Sequence, residues 1–188
     1  MLEQPFDQFG DRRDYVLAPS GAFEHIDATL NPLELTIDLS QLGWQPRSGA
    51  GITLGNEAYY LRRHTDGWSL ALPEGAAATS PAMCVDLHYP HMRVVTRASS
   101  RSTPTSDLKL AVHVAYPGSE TPGFQRVDTV NGLEGSDVRQ GWRVSPDIPL
   151  RPERGGTKPG PRLAALRFTA VSGDWKIDDI YVDPRRHR

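Results

Sequence analysis

The chain has 188 residues, enough for one compact domain or for one domain with an arm. Hydrophobic residues make up 38% and the formal charge is -2, so a sandwich-sized core is available and no global field draws nucleic acid or anionic lipid. The single cysteine, Cys84, excludes an intrachain disulfide, and no apolar run approaches the roughly 20 residues of a membrane helix.

The opening Met1-Leu-Glu-Gln-Pro-Phe-Asp lacks the basic and apolar regions of a signal peptide. The chain is therefore expected to be cytoplasmic, the mature form of an exported protein, or part of an assembled particle. Residues 1–19 read as an N-terminal arm with Phe6, Phe9 and Tyr15 as anchors, and residues 20–188 as the folded domain. A first strand is expected near Tyr15. Leu33, Leu35, Ile37 and Leu39 alternate with polar residues, which is the period of a half-buried strand. The run Gly49-Ala-Gly-Ile-Thr-Leu-Gly55 lacks the spacing of a dinucleotide loop, and no helical pattern follows it.

Further strands are predicted at 58–61, 68–72, 82–87 and 92–97. Leu108, Leu110, Val112 and Val114 alternate with Lys109, Ala111 and His113, the clearest amphipathic strand in the chain. Strands at 124–130 and 141–144 follow. The segment 151–161 reads as a loop, and the basic tail Arg185-Arg-His-Arg188 as a solvated end. Leu163 to Val171 and Trp175 to Val182 form the closing pair of strands, joined by a tight turn at Ser172-Gly173-Asp174. No stretch of a dozen residues shows helical periodicity. Short strands separated by scattered Gly (17) and Pro (16) predict an all-β protein, a sandwich or a barrel.

Three features invite chemistry. Asp178 and Asp179 interrupt the last strand, and such a pair either holds a cation or flanks a bulge at a sheet edge. Trp44, Trp68, Trp142 and Trp175 are expected in the core, as are most tyrosines, with Tyr59 or Trp68 as the candidate exposed ring. Asn56, Glu57 and Arg62 supply polar groups near those two, so Tyr59, Trp68, Asn56, Glu57 and Arg62 form the candidate ligand site. His88-Tyr-Pro-His91 fits no zinc spacing and reads as a turn. Cys84, between Met83 and Val85, is expected to be a buried strand thiol. No nucleophile–base–orienter set can be named, so the chain is not expected to be an enzyme.

Several motifs carry a likeness: Gln4-Pro5-Phe6, Ala18-Pro-Ser-Gly-Ala-Phe-Glu24, Gly55-Asn-Glu57, Ser69-Leu-Ala-Leu-Pro73, Ala78-Thr-Ser-Pro-Ala-Met-Cys-Val85 and Trp175 to Pro184. In this order they resemble a group of usually exported actinobacterial proteins of unknown function. Those relatives tend to carry a second cysteine before Gln-Pro-Phe, which is lacking here. The Gly-x-Phe-Glu opening and Ile-Asp-Asp-Ile close also look like galactose-binding-like jelly rolls, including carbohydrate-binding modules. That resemblance implies a single antiparallel β-sandwich of jelly-roll topology with adjacent first and last strands. It also implies a structural calcium held by Glu24 with Asp178 or Asp179. The reading is then a non-catalytic module for carbohydrate or a cell-surface glycan. A structural or interaction protein, such as a self-assembling homo-oligomer or a shell or virion decoration, is the alternative partner-binding role, and a hydrolase comes third.

Overall fold

The computed structural model describes residues 2–24, 38–86, 90–117, 123–150 and 160–183. Fourteen strands lie among them: β1 Val16–Leu17, β2 Gln45–Arg47, β3 Gly51–Leu54, β4 Trp68–Leu72, β5 Ala77–Thr79, β6 Met83–Asp86, β7 His91–Ser99, β8 Lys109–Ala115, β9 Gln125–Asn131, β10 Ser136–Arg139, β11 Trp142–Val144, β12 Ile148–Pro149, β13 Pro161–Ser172 and β14 Asp174–Asp183. All pairings are antiparallel, and they form two sheets. One runs β10-β11-β7-β14-β4-β3, with β1 added to β14 and β12 to β7. The other runs β2-β5-β13-β8-β9, with β6 added to β13. No helix among the described residues is long and apolar enough to cross a membrane.

The sheets pack through the alternating apolar residues of their inner faces. Leu110, Val112 and Val114 of β8 meet Leu166, Phe168 and Ala170 of β13 across the sheet, and all are buried. From the other sheet Leu70, Leu72, Met92, Val94, Trp175 and Ile177 enter the same core. Trp44 lies there too, between Phe23 and Phe168. Burying one such large apolar side chain contributes about 1.5–3 kcal/mol.

A second, smaller core lies on the outer side of the eight-stranded sheet. The N-terminal segment builds it. Phe6 and Tyr15 are fully buried there, edge-on to each other and, through Phe6, to Tyr181. Tyr59, Val95, Trp142 and Val144 complete it. A bridge between Glu3 and Tyr15 folds the segment back on itself, and β1 joins β14 at Val16↔Val182 and Leu17↔Tyr181. The first and last strands are thus neighbours. Ions fasten the same segment: Arg13 reaches Asp11 and Asp147, while Arg93 reaches both carboxylates from β7. Burial alone would raise the Asp11 pKa, but hydrogen bonds from Arg13 and Tyr15 hold it well below the usual carboxylate range.

Several expectations need correction. The 58–61 segment is a loop, with Tyr60 at φ 55, instead of a strand. Leu39 opens a 3-10 turn, Leu39–Leu42, capped by the Asp38 side chain, while positions 33–37 lie outside the described residues. Cys84 is exposed. It is in a strand, but the alternation turns Val85 inward and leaves Cys84 beside its exposed partner Leu163. His88, Tyr89 and the basic tail lie outside the described residues, as does most of the 151–161 loop.

Candidate functional site

The acidic pair lies at a bulge, and the bulge is in mid-sheet instead of at an edge. Asp178 faces Val95 on β7, whereas Tyr181 faces Arg93, so β14 carries one extra residue between them. Asp179 sits there at φ 46. The extra residue lets Ile177 and Ile180, three apart, both point into the main core. It also marks a change of partner. Before it β14 pairs with β4, and after it with β1. The segment from Gly21 to Glu24 and the 55–67 connection between β3 and β4 close over this junction.

Their backbone amides are gathered by carboxylates. Glu24 Oε1 accepts the N–H of Gly67 (2.8 Å) and of Trp68 (2.7 Å). Asp178 accepts the N–H of Glu57 (3.0 Å) and of Asp179 (2.9 Å). Glu57 accepts from Tyr59 and from Leu61. Asp66 and Arg62 stand 4.0 Å apart at the same place. Asp179 is 2% exposed, and its carboxylate makes no hydrogen bond among the described residues. Burial, then the nearby Glu57 charge, pushes its pKa up to about 8. Burial and then Asp179 raise Asp178, and burial raises Glu24 and Glu57. Five carboxylates therefore share one poorly hydrated region, with the Arg62 guanidinium beside Asp66 and that of Arg139 near Glu57. No group of three or more His, Cys, Asp or Glu among the described residues is arranged as a metal shell.

The candidate ligand residues are drawn into this same region, mostly inward. Tyr59 is buried, with its hydroxyl on the Trp142 carbonyl (2.7 Å) and its ring edge-on to Phe9. It presents no open face, which corrects the expected exposure. Glu57 is buried as well. Trp68, Asn56 and Arg62 are half-buried around it. The exposed ring of this loop is Tyr60, packed at 4.9 Å on His64. The other three tryptophans are buried as expected. Trp175 donates its indole N–H to the Ser172 carbonyl, whereas Trp44 Nε1 is buried without a partner.

A different arrangement occupies the outer side of the six-stranded sheet. Residues directly opposite across neighbouring strands share a face. Gln45 faces Thr79, Thr79 faces Arg167, Arg167 faces His113, and His113 faces Arg126. One unbroken polar row thus crosses β2, β5, β13, β8 and β9, a span of about 19 Å at ordinary strand spacing. The next row on the same side is Arg47, Ala77, Thr169, Ala111 and Thr129. Its three middle members are small, so it forms a low floor beside the taller row. A register shift in β9 keeps the pattern in phase. Val127 turns into the main core, and Arg126 returns to the outer side, donating to Thr129 Oγ1 (3.3 Å).

Arg167 is the most constrained of these groups. Its Nε donates to Thr79 Oγ1 (3.1 Å), and its guanidinium lies 3.7 Å from the Phe124 ring centre. Arg47 and Arg126 are exposed. Among the described residues none of the three forms an ion pair. His113 Nδ1 is buried without a hydrogen-bond partner. Burial, followed by Arg126 and Arg167, lowers the His113 pKa. Sequence reasoning missed this face because it depends on register between residues as far apart in the chain as Gln45 and Arg167, 122 positions. Only the exposed polar phase of β8, with His113, was visible.

No family model matches the chain, and no curated protein matches it. Among solved structures, the apo form of a cyclase from Fischerella sp. superposes with a TM-score of 0.52 at 10% identity, over 92% of this chain and 98% of the cyclase. TmCBM61 in complex with β-1,4-galactotriose gives 0.41 at 15% identity, over 76% and 88%. The xylan-binding module CBM15 gives 0.45 at 12% identity, over 77% and 92%. At these identities the cyclase likeness establishes the two-sheet fold and nothing about chemistry.

Proposed function

We propose that this protein is a non-catalytic carbohydrate-binding module whose ligand lies across the outer side of the six-stranded sheet. The polar row Gln45–Thr79–Arg167–His113–Arg126 beside its floor of Ala77, Thr169 and Ala111 carries the reading. Sugars need directional hydrogen-bond donors and acceptors on a fixed base, and a sheet holds such groups more rigidly than loops do. β-1,4-Galactotriose and xylan are bound by the two modules named above, and they are the first probes to try. The test is retention of the intact protein on insoluble polysaccharides, followed by calorimetry with oligosaccharides. Retention that a Thr169→Trp substitution abolishes by filling the floor supports the reading. Absence of retention on every glycan, neutral and charged, removes it.

The acidic region on the opposite side suits a structural calcium ion. The donor chemistry supports it, since calcium takes six to eight hard oxygens and Asp179 offers a buried carboxylate with no hydrogen bond among the described residues. Glu24 and Asp179 would be its side-chain ligands, with main-chain carbonyls and water supplying the remainder. The ion would neutralise charge that burial otherwise pushes toward protonation. Its role would be to fasten the 55–67 connection onto β14. Removal with a chelator should lower the melting temperature, and Asp179→Asn should abolish that sensitivity. Identical melting of the calcium-loaded and chelated wild-type protein would reject the site.

A further inference from the structure

The proposed carbohydrate reading leaves the class of glycan open, and the inference drawn here rests on that reading. We infer that the outer side of the six-stranded sheet takes an anionic polysaccharide, one whose rings carry carboxylate or sulfate groups. Arg47, Arg126 and Arg167 stand on that one side together with His113. None of the three arginines has an ion-pair partner among the described residues. The ion network at the N-terminal segment offers a contrast: there Arg13 and Arg93 come together and share Asp11 and Asp147. On this side the cations face one another without relief. Burial, then Arg47, lowers the Arg167 pKa, with no carboxylate acting against them. A bound anion would supply the missing charge.

The aromatic element argues the same way. A neutral sugar chain gains much of its affinity by stacking on an open ring. Here Phe124, the ring beside the row, is already covered by the Arg167 guanidinium at 3.7 Å. That stack, with the Nε bond to Thr79, fixes the plane of the guanidinium and leaves its Nη edge as the recognition surface. A planar fork held in this way matches two oxygens of a carboxylate or sulfate. The floor beside the fork carries only the small side chains Ala77, Thr169 and Ala111, of which Ala77 and Ala111 are buried between their taller neighbours. Arg47 at one end and Arg126 in the neighbouring row, near the other end, would meet charges further along a polymer.

The experiment is affinity electrophoresis and calorimetry of the full chain with four probes: polygalacturonate, dextran sulfate, neutral β-1,4-galactan and single-stranded DNA. Binding to polygalacturonate or dextran sulfate is expected, weakening as salt is raised. Whichever of the two binds identifies the acid group. Arg126→Gln and Arg47→Gln, at exposed positions that leave folding intact, should each lower affinity about three- to tenfold, the effect of losing one solvent-exposed hydrogen-bonding contact. Arg167→Gln should lower it further, with circular dichroism confirming the fold. Galactan binding as tight as that of either acidic polymer, unchanged by these substitutions, overturns the charge assignment while the carbohydrate reading survives. Equal binding to DNA overturns it also, by showing a general polyanion surface. Silence toward all four probes and toward xylan removes both readings together.

Discussion

On the outer side of the eight-stranded sheet, aromatic rings and carboxylates lie shut beneath the N-terminal segment and the 55–67 connection. On the outer side of the six-stranded sheet, arginines stand beside alanine and threonine with no ion-pair partner among the described residues. The two faces use similar residues to different ends. Arg93 has two carboxylates and the Phe6 ring around it, so its contacts are complete within the chain. Arg126 has one weak bond to Thr129 and an exposed end. The comparison teaches that residue type alone does not mark a binding surface. The proposed surface differs in carrying charges with no ion-pair partner among the described residues.

The sharpest way to break this comparison is to open the closed face. Phe6→Ala should destabilise the protein by about 3–5 kcal/mol, the range for removing a fully buried ring. Urea denaturation measures it, and a loss below about 1 kcal/mol would show that the N-terminal segment is a loose arm. Next comes pH. In metal-free protein the Asp179 pKa is raised to about 8, above its unfolded value near 3.9, so its contribution is complete below the unfolded value and is lost as pH rises toward 8. Metal-free stability should therefore decline between about pH 4 and pH 8. Asp179→Asn should flatten that slope, and a slope of opposite sign would contradict the assignment.

A smaller effect is expected at the ion network. Burial opposes it, but hydrogen bonds from Arg13 and Arg93 lower the Asp147 pKa. Its contribution is present above the unfolded carboxylate value and disappears as acid protonates it. Asp147→Asn should cost about 1 kcal/mol at neutral pH and less in acid, because Asp147 is partly solvated. The smallest change belongs to the unpaired face. Arg126→Gln should alter stability by less than about 0.5 kcal/mol, as usual for an exposed site, while weakening acidic-glycan binding. A large stability loss there would mean that Arg126 has a structural partner.

Much of the fold was legible because the strands that matter most alternate clearly. β8 reads from Leu110, Val112 and Val114, and the closing hairpin from Phe168, Ala170, Trp175 and Ile177. The turn at Gly173 was equally plain, since φ is +71 and an added Cβ would meet Leu108 at 2.6 Å. Even the bulge had a signal: Ile177 and Ile180 cannot share a face of a regular strand. Its mid-sheet position was not legible, because β1, the partner that flanks it, comes from the other end of the chain. β2 and β5 escaped notice for local reasons. Gln45-Pro-Arg47 is wholly exposed, and Ala77-Ala-Thr79 carries no bulky apolar residue. Tyr59 misled because the rings that bury it, Phe9 and Trp142, are distant in sequence.

The hairpin of β13 and β14 also governs how the molecule can be made. β13 lies between β5 and β8 in one sheet, and β14 between β7 and β4 in the other, so the last two strands are central in both. During synthesis neither sheet can close until these residues have left the ribosome, and β4, β7, β5 and β8 must wait with unpaired edges. A nascent chain halted before residue 161 would lack the middle of each layer and would be a natural client for chaperones.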